Sequence, residues 1–224
     1  MRVKICGIKT VNELTNAVNA GADAVGFLVG QRYPSQDFIQ PETAARLAAM
    51  LPPFVMPVLV THLTDPDQIM KLIDRTLITT VQLHGGSTPE QVRPLHKYLE
   101  GAGKLILALH SKTMPGETLA VPEAFNDFVD AYLLDTFDPA TGRVGGTGMT
   151  HNWQASAEFT AKSLRPVILA GGLSMDNVAE AVRIVRPFAV DVNSSLRPAG
   201  MELNLKMAAA FVRNAKNILS GPGD

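Results

Sequence analysis

A chain of 224 residues that is 46% hydrophobic and 18% charged can bury a full core, as one large α/β domain or two small ones. Its 20 basic residues against 21 acidic ones leave a formal charge of -1, which excludes a broad nucleic-acid or anionic-membrane surface but not a local anion site. One cysteine excludes an internal disulfide. With no basic leader before an apolar segment and no apolar run long enough to span a bilayer, the expectation is an unprocessed, soluble, cytoplasmic protein.

Strands and helices alternate along the chain. A first strand is predicted over Val3 to Cys6, then a helix over Val11 to Ala20 that Gly21 can stop. A strand over Ala24 to Val29 leads to a helix over Pro41 to Met50, which Pro52 and Pro53 forbid from continuing. Strands over Val55 to Thr61 and Thr79 to Leu83 precede helices over Asp65 to Arg75 and Pro89 to Leu99. After a strand over Lys104 to Leu109, the stretch from Lys112 to Asp127 holds Pro115, Gly116 and Pro122, so its helix is expected to be short and late. The remaining strands are Ala131 to Asp135, Pro166 to Ala170 and Ala189 to Asn193, with helices over Trp153 to Lys162, Ser174 to Val185 and Leu203 to Leu219. Ser174, with Asn177 and Glu180 behind it, reads as a capped helix start.

Eight short strands rich in Val, Leu and Ile, each followed by a helical segment, predict an α/β fold: a single (β/α)8 TIM barrel with right-handed crossovers. An open doubly wound sheet is the alternative, but Cys6-Gly7-Ile8-Lys9 lacks the glycine-rich phosphate fingerprint after its first strand. No linker or shift in composition divides the chain, so residues 1–224 are expected to form one domain.

In such a barrel the chemistry lies at the carboxyl ends of the strands. Those ends carry Cys6, Arg32, His62, Gln82, His84, His110, Asp135, Gly171-Gly172 and Asn193-Ser194. Cys6 reads either as a small buried hydrophobe or as a catalytic thiol. Asp135 reads as a turn residue or as an acid. Three histidines without an acidic partner close in sequence do not make a metal signature, so neither a metal nor an organic cofactor is expected. Gly171, Gly172, Asn193 and Ser194 follow the last two strands, where barrels commonly bind phosphate on backbone N–H groups.

The ordered motifs Val3-Lys4-Ile5-Cys6-Gly7-Ile8, Gly21-Ala22-Asp23-Ala24-Val25-Gly26-Phe27, Val81-Gln82-Leu83-His84-Gly85, Leu133-Leu134-Asp135, Gly145-Gly146-Thr147-Gly148, Val167-Ile168-Leu169-Ala170-Gly171-Gly172-Leu173 and Val190-Asp191-Val192 resemble the phosphoribosylanthranilate isomerase family. The resemblance runs from Val3 to about Phe211. It implies an Amadori rearrangement in tryptophan biosynthesis, an aminoaldose phosphate becoming an aminoketose phosphate. Opening the ribose ring needs an acid at the ring oxygen, and moving the double bond needs a base at the adjacent carbon. By resemblance Cys6 is the base and Asp135 the acid, with Gly171, Gly172, Asn193 and Ser194 on the phosphate and Arg32, Gln82 and His84 on the remainder of the substrate. The thiol would need nearby positive charge to ionise, and the carboxyl would need burial or a nearby anion to stay protonated.

The chain departs from the family pattern at the aglycone end. Asp37 stands where the family carries an arginine for the anthranilate carboxylate, and Arg32, in a slightly longer loop, is the candidate replacement. His62 replaces an asparagine at the rim, Met149 a lysine and Ser195 a glycine. Three readings stand open: the isomerase itself; a paralogue acting as isomerase, epimerase or lyase on another sugar phosphate; and a non-catalytic phosphate-ligand-binding barrel. Any of them implies a small sugar-phosphate ligand, no nucleic-acid or membrane partner, and a monomer or homodimer.

Overall fold

The computed structural model describes residues 1–32, 36–112, 119–138, 143–144, 152–198 and 201–217. In chain order the elements are β1 (Arg2–Ile5), α1 (Val11–Asn19), β2 (Ala24–Leu28), α2 (Pro41–Ala48), β3 (Met56–Thr61), α3 (Pro66–Thr76), β4 (Thr80–Leu83), α4 (Pro89–Leu99) and β5 (Lys104–Lys112). A short 3-10 turn (Glu123–Phe125) leads to β6 (Ala131–Asp138), β7 (Arg143–Val144), α5 (Trp153–Lys162), β8 (Val167–Leu169), α6 (Val178–Val185), β9 (Ala189–Val192), a second 3-10 turn (Ser194–Leu196) and α7 (Leu205–Lys216).

Eight of the strands run parallel and close on themselves. The last pairs with the first, in register from Arg2 opposite Ala189 to Ile5 opposite Val192. The longest seam joins β5 to β6, from Ile106 opposite Ala131 to Lys112 opposite Phe137. The short β7 folds back antiparallel on the end of β6 and stands outside the barrel. The chain is thus a (β/α)8 barrel.

Alternation along each strand divides the apolar residues into two populations. Val3, Ile5, Val25, Phe27, Val81 and Leu134 belong to the larger core between strands and helices. Their alternating neighbours Val58, Val60, Ala108, Leu133 and Ala170 form a second cluster within the barrel, and Cys6 belongs to it. Lys4, Gln82, Asp135 and Asp191 are buried polar residues at the same alternating positions. These strands therefore carry polar groups toward the barrel axis and aliphatic ones toward the helices.

Local chemistry accounts for most helix boundaries. Thr10, Asp65 and Asn204 cap α1, α3 and α7 by accepting backbone N–H groups, and a capping box between Thr88 and Gln91 opens α4. The expected helix at Ser174 instead begins at Val178. The Asn177 side chain is committed to the preceding loop, accepting from the Ser174 N–H and donating to the Gly172 carbonyl, so those residues form a braced turn. Among the described residues before β6, a 3-10 turn follows Pro122, late in the segment as expected. β5 and β6 extend past the expected ends at Leu109 and Asp135, because each supplies the ladder partner of the other.

Candidate active site

Cys6 lies one residue beyond β1, its N–H donating to the Val192 carbonyl at 2.8 Å. It shares an inward face with Lys4 and is 7% exposed. Gly26 on the adjacent strand makes room for it: a Cβ there would come within 2.6 Å of the Cys6 sulfur and 3.1 Å of Lys4 Cε. Below the thiol, Lys4 Nζ donates to Asp191 Oδ2 at 2.6 Å, with both side chains buried. Burial pushes the Cys6 thiol up to about 11, with Lys4 opposing and Asp191 reinforcing. At pH 7 the resting group is therefore the thiol.

Asp135 occupies the corresponding inward position on β6. Its Oδ1 accepts the Thr136 N–H at 2.7 Å, and its Oδ2 lies 3.4 Å from His84 Nε2. Burial opposes ionisation, but His84 and the Thr136 N–H outweigh it and hold the carboxyl below its ordinary value. The resting protonation of both groups is thus the reverse of what the sequence-based argument requires: thiol on one side, carboxylate on the other.

Imidazoles from three successive strand ends gather beside Asp135. The His84 ring lies 5.5 Å from that of His62 and 4.8 Å from that of His110, centroid to centroid. Gln82 Nε2 lies 3.2 Å from His84 Nδ1, and His110 Nε2 lies 3.3 Å from the His84 carbonyl oxygen. With Gln82 donating, His84 Nδ1 is the acceptor and Nε2 carries the proton facing Asp135. Burial, followed by mutual repulsion among the rings, pushes His62 and His110 down to about 4, so both are neutral at pH 7. The histidines do therefore acquire an acidic partner, one that sequence spacing conceals. Among the described residues, no group of three His, Cys, Asp or Glu side chains is arranged to hold a metal ion.

The loops after β8 and β9 meet at the same end. Gly171 and Gly172 have φ of 78° and 64°, and a Cβ on Gly171 would come within 2.8 Å of the Thr136 nitrogen. Ser195 Oγ donates to the Leu173 carbonyl at 2.6 Å, tying the two loops together. Among the described residues, no backbone carbonyl accepts the N–H groups of Gly171, Gly172, Ser194 or Ser195. Ser194 is exposed at the first position of the second 3-10 turn. The Asn193 side chain is otherwise engaged, donating to Asp37 Oδ2 at 2.9 Å and accepting from Arg197.

At the rim, Asp37 also pairs with Lys9 at 3.2 Å, so its charge is balanced within the protein. Arg32 is exposed and close enough to His62 to disfavour its protonation. Arg197 donates to the carbonyls of Cys6 and Gly7 and pairs with the fully buried Glu13 at 3.2 Å. The motif at 145–149 lies outside the described residues. The sequence reading gave no role to Lys4, Asp191, Lys9 or Arg197. The signal for the first two was present, as a charged residue at an alternating position within an otherwise apolar strand. For the other two, nothing local marks the partner.

A closed parallel barrel with a thiol, a carboxylate, imidazoles and glycine-bearing loops at its carboxyl-end mouth has the architecture of (β/α)8-barrel enzymes. The chain belongs to the N-(5'-phosphoribosyl)anthranilate isomerase family, whose model matches residues 3–214. It is 41% identical over 217 residues to N-(5'-phosphoribosyl)anthranilate isomerase 2 of Methanosarcina mazei, covering 97% of this chain and 95% of that one. Among solved structures, phosphoribosyl anthranilate isomerase from Thermotoga maritima matches with TM-score 0.79 and 32% identity over 97% of this chain and 99% of that one. A phosphoribosyl anthranilate isomerase in complex with reduced 1-(o-carboxyphenylamino)-1-deoxyribulose 5-phosphate matches with TM-score 0.76 and 31% identity over the same shares.

Proposed function

We propose that this chain is an N-(5'-phosphoribosyl)anthranilate isomerase that carries out the aldose-ketose rearrangement in tryptophan biosynthesis, working as one barrel domain in the cytoplasm. The observation that carries the reading is the pairing of Cys6 and Asp135 on inward positions at one end of the barrel, both within the electrostatic reach of Asp191. Family membership supplies the reaction, and the ligand named for the related structure carries the phosphate and carboxylate that two anion sites would hold.

Protonated Asp135 gives its proton to the ring oxygen, the C–O bond breaks, and the nitrogen lone pair forms a cationic iminium. Cys6 as thiolate then removes the proton from the adjacent carbon to give the enolamine, which becomes the ketone. Thiolate and carboxylic acid together hold the same number of protons as the resting thiol and carboxylate, so the working form differs by one internal proton shift. The phosphate dianion favours protonated Asp135, and the iminium cation favours thiolate. No cofactor is required for these steps.

The N–H groups of Gly171, Gly172 and Ser194 form the phosphate cradle in this reading, with Asn193 positioning the loop through its own contacts. Arg32 takes the aglycone carboxylate, because the other cation nearby, Lys9, is already paired with Asp37. Gln82 and His84 orient the acid. The fluorescence of phosphoribosylanthranilate provides the assay. Cys6→Ser and Asp135→Asn are each expected to lower kcat by ~10²-fold or more while the reduced ribulose-phosphate analogue still binds. Full turnover in either variant rejects the roles; no turnover in the unaltered protein, with binding of another sugar phosphate, assigns it to a different substrate. Sedimentation gives its state as monomer or homodimer.

A further inference from the structure

The buried pair below the thiol has no part in the acid-base scheme above, yet both of its charges act on the sulfur. We propose that Lys4 is a positioning residue for Cys6: its ammonium exchanges partners between Asp191 and the thiolate, so the Lys4–Asp191 pair sets when the base can form. The inference rests on the reading of Cys6 as the general base.

Geometry supports the exchange. Lys4 and Cys6 are two residues apart on one strand face, and both the Cys6 sulfur and Lys4 Cε lie over Gly26, within 3.1 Å of where its Cβ would be. Lys4 is held to Asp191 through one carboxylate oxygen, and the other, Asp191 Oδ1, is buried with no hydrogen-bond partner among the described residues. A carboxylate bonded at one oxygen only can release the ammonium by a small rotation. An unpaired buried ammonium is costly, so Lys4 needs a counter-ion in either state, and among the described residues the thiolate is the other group that acts on it.

The charged groups around Cys6 are few. From its own strand comes Lys4; from β9 comes Asp191; from the loop after β9, Arg197 donates to the Cys6 carbonyl oxygen. On the side of β2, Ala24, Gly26 and Leu28 bring no charge. Across the barrel, Asp135 and His84 act on Asp191. Burial works against the Lys4 ammonium, but Asp191 and Cys6 outweigh it, and its pKa is raised. Burial also pushes Asp191 up, toward the neutral acid, which disagrees with a fully ionised pair. The 2.6 Å contact favours the charged arrangement, because attraction at that distance in a poorly screened interior keeps the proton on nitrogen.

Because the chain has one cysteine, the rate of its alkylation by iodoacetamide against pH reports Cys6 ionisation directly, without turnover. Asp191→Asn leaves the thiolate as the sole counter-ion for Lys4, so the midpoint is expected to fall and the rate at pH 8 to rise at least fivefold. Lys4→Met is expected to move the midpoint up and slow the reaction at least fivefold, whereas Lys4→Arg, which keeps the charge, stays within about twofold of the parent. The acid limb of kcat/KM should move in the same direction as the alkylation midpoint in each variant. Circular dichroism confirms the fold of each; if Lys4→Met does not fold, the Asp191→Asn and Lys4→Arg arms still decide. An unchanged midpoint in Asp191→Asn, or equal shifts in Lys4→Arg and Lys4→Met, overturns the proposal. Altered alkylation in a protein with no isomerase activity would instead uphold the counter-ion role and reject the function assigned to the site.

Discussion

Arg32 and Asp37 show how little a substitution at one aligned position says about charge at a site. Asp37 in place of a cation looks repulsive toward a carboxylate, but Lys9 and Asn193 hold it within the protein's own network. Arg32 remains exposed at the rim. Arg32→Ala is therefore expected to raise KM for phosphoribosylanthranilate about tenfold while kcat changes little, since a clamp on a non-reacting group contributes similar binding to ground and transition states. Steady-state kinetics would separate this from a catalytic role, which would lower kcat.

The half-buried histidines give the molecule an acid limit. His62 and His110, at about 4 in the folded protein against 6.5 ordinarily, bind fewer protons folded than unfolded between those values. Stability is thus highest above pH 6.5 and declines as pH falls toward 4, by on the order of 2 kcal/mol after allowance for their partial exposure. Urea unfolding at pH 7 and pH 4.5 measures the loss, and His110→Gln should reduce it. Asp135, shifted downward from 3.8, contributes in a lower window: its stabilisation is present above 3.8 and is lost as pH drops through its folded value.

Helix ends illustrate where local rules were sufficient and where they were not. Asp65 before Pro66, and Thr88 with Gln91, mark starts that depend only on neighbours within four residues. Ser174 misled because Asn177 bonds backward to Gly172, a choice made by the loop after β8 rather than by the helix. The same helical periodicity says nothing about Leu77, which ends α3 with φ of 58° and is 83% exposed. A side chain with no packing to offer in a left-handed conformation is a net cost. Leu77→Gly is expected to stabilise the protein by about 0.5–1 kcal/mol in urea unfolding, whereas a loss would mean that Leu77 is packed against something in solution.

Across the whole molecule, closure depends on contacts between the two ends of the chain. Arg197 spans from the carbonyls of Cys6 and Gly7 to Glu13, which is fully buried and also accepts the N–H groups of Lys9 and Leu203. Arg197→Ala would leave that carboxylate short of its cation inside the protein, at a cost of about 3 kcal/mol, and loosen the loops carrying the base and the phosphate cradle. Calorimetry should show the lower Tm together with a raised KM; an unchanged Tm would make the seam independent of this residue.

The strand-helix alternation and the rank of Cys6 and Asp135 at strand ends follow from the sequence by itself, because side-chain period and chain punctuation act over a few residues. What only the tertiary structure decided is the state of those groups. The proton on sulfur, the ionised Asp135, the His84 partner and the Lys4–Asp191 pair depend on burial and on charges 50 to 190 residues away in sequence. Ionisation responds to distance in space and to the removal of water, and neither quantity exists until the barrel has closed.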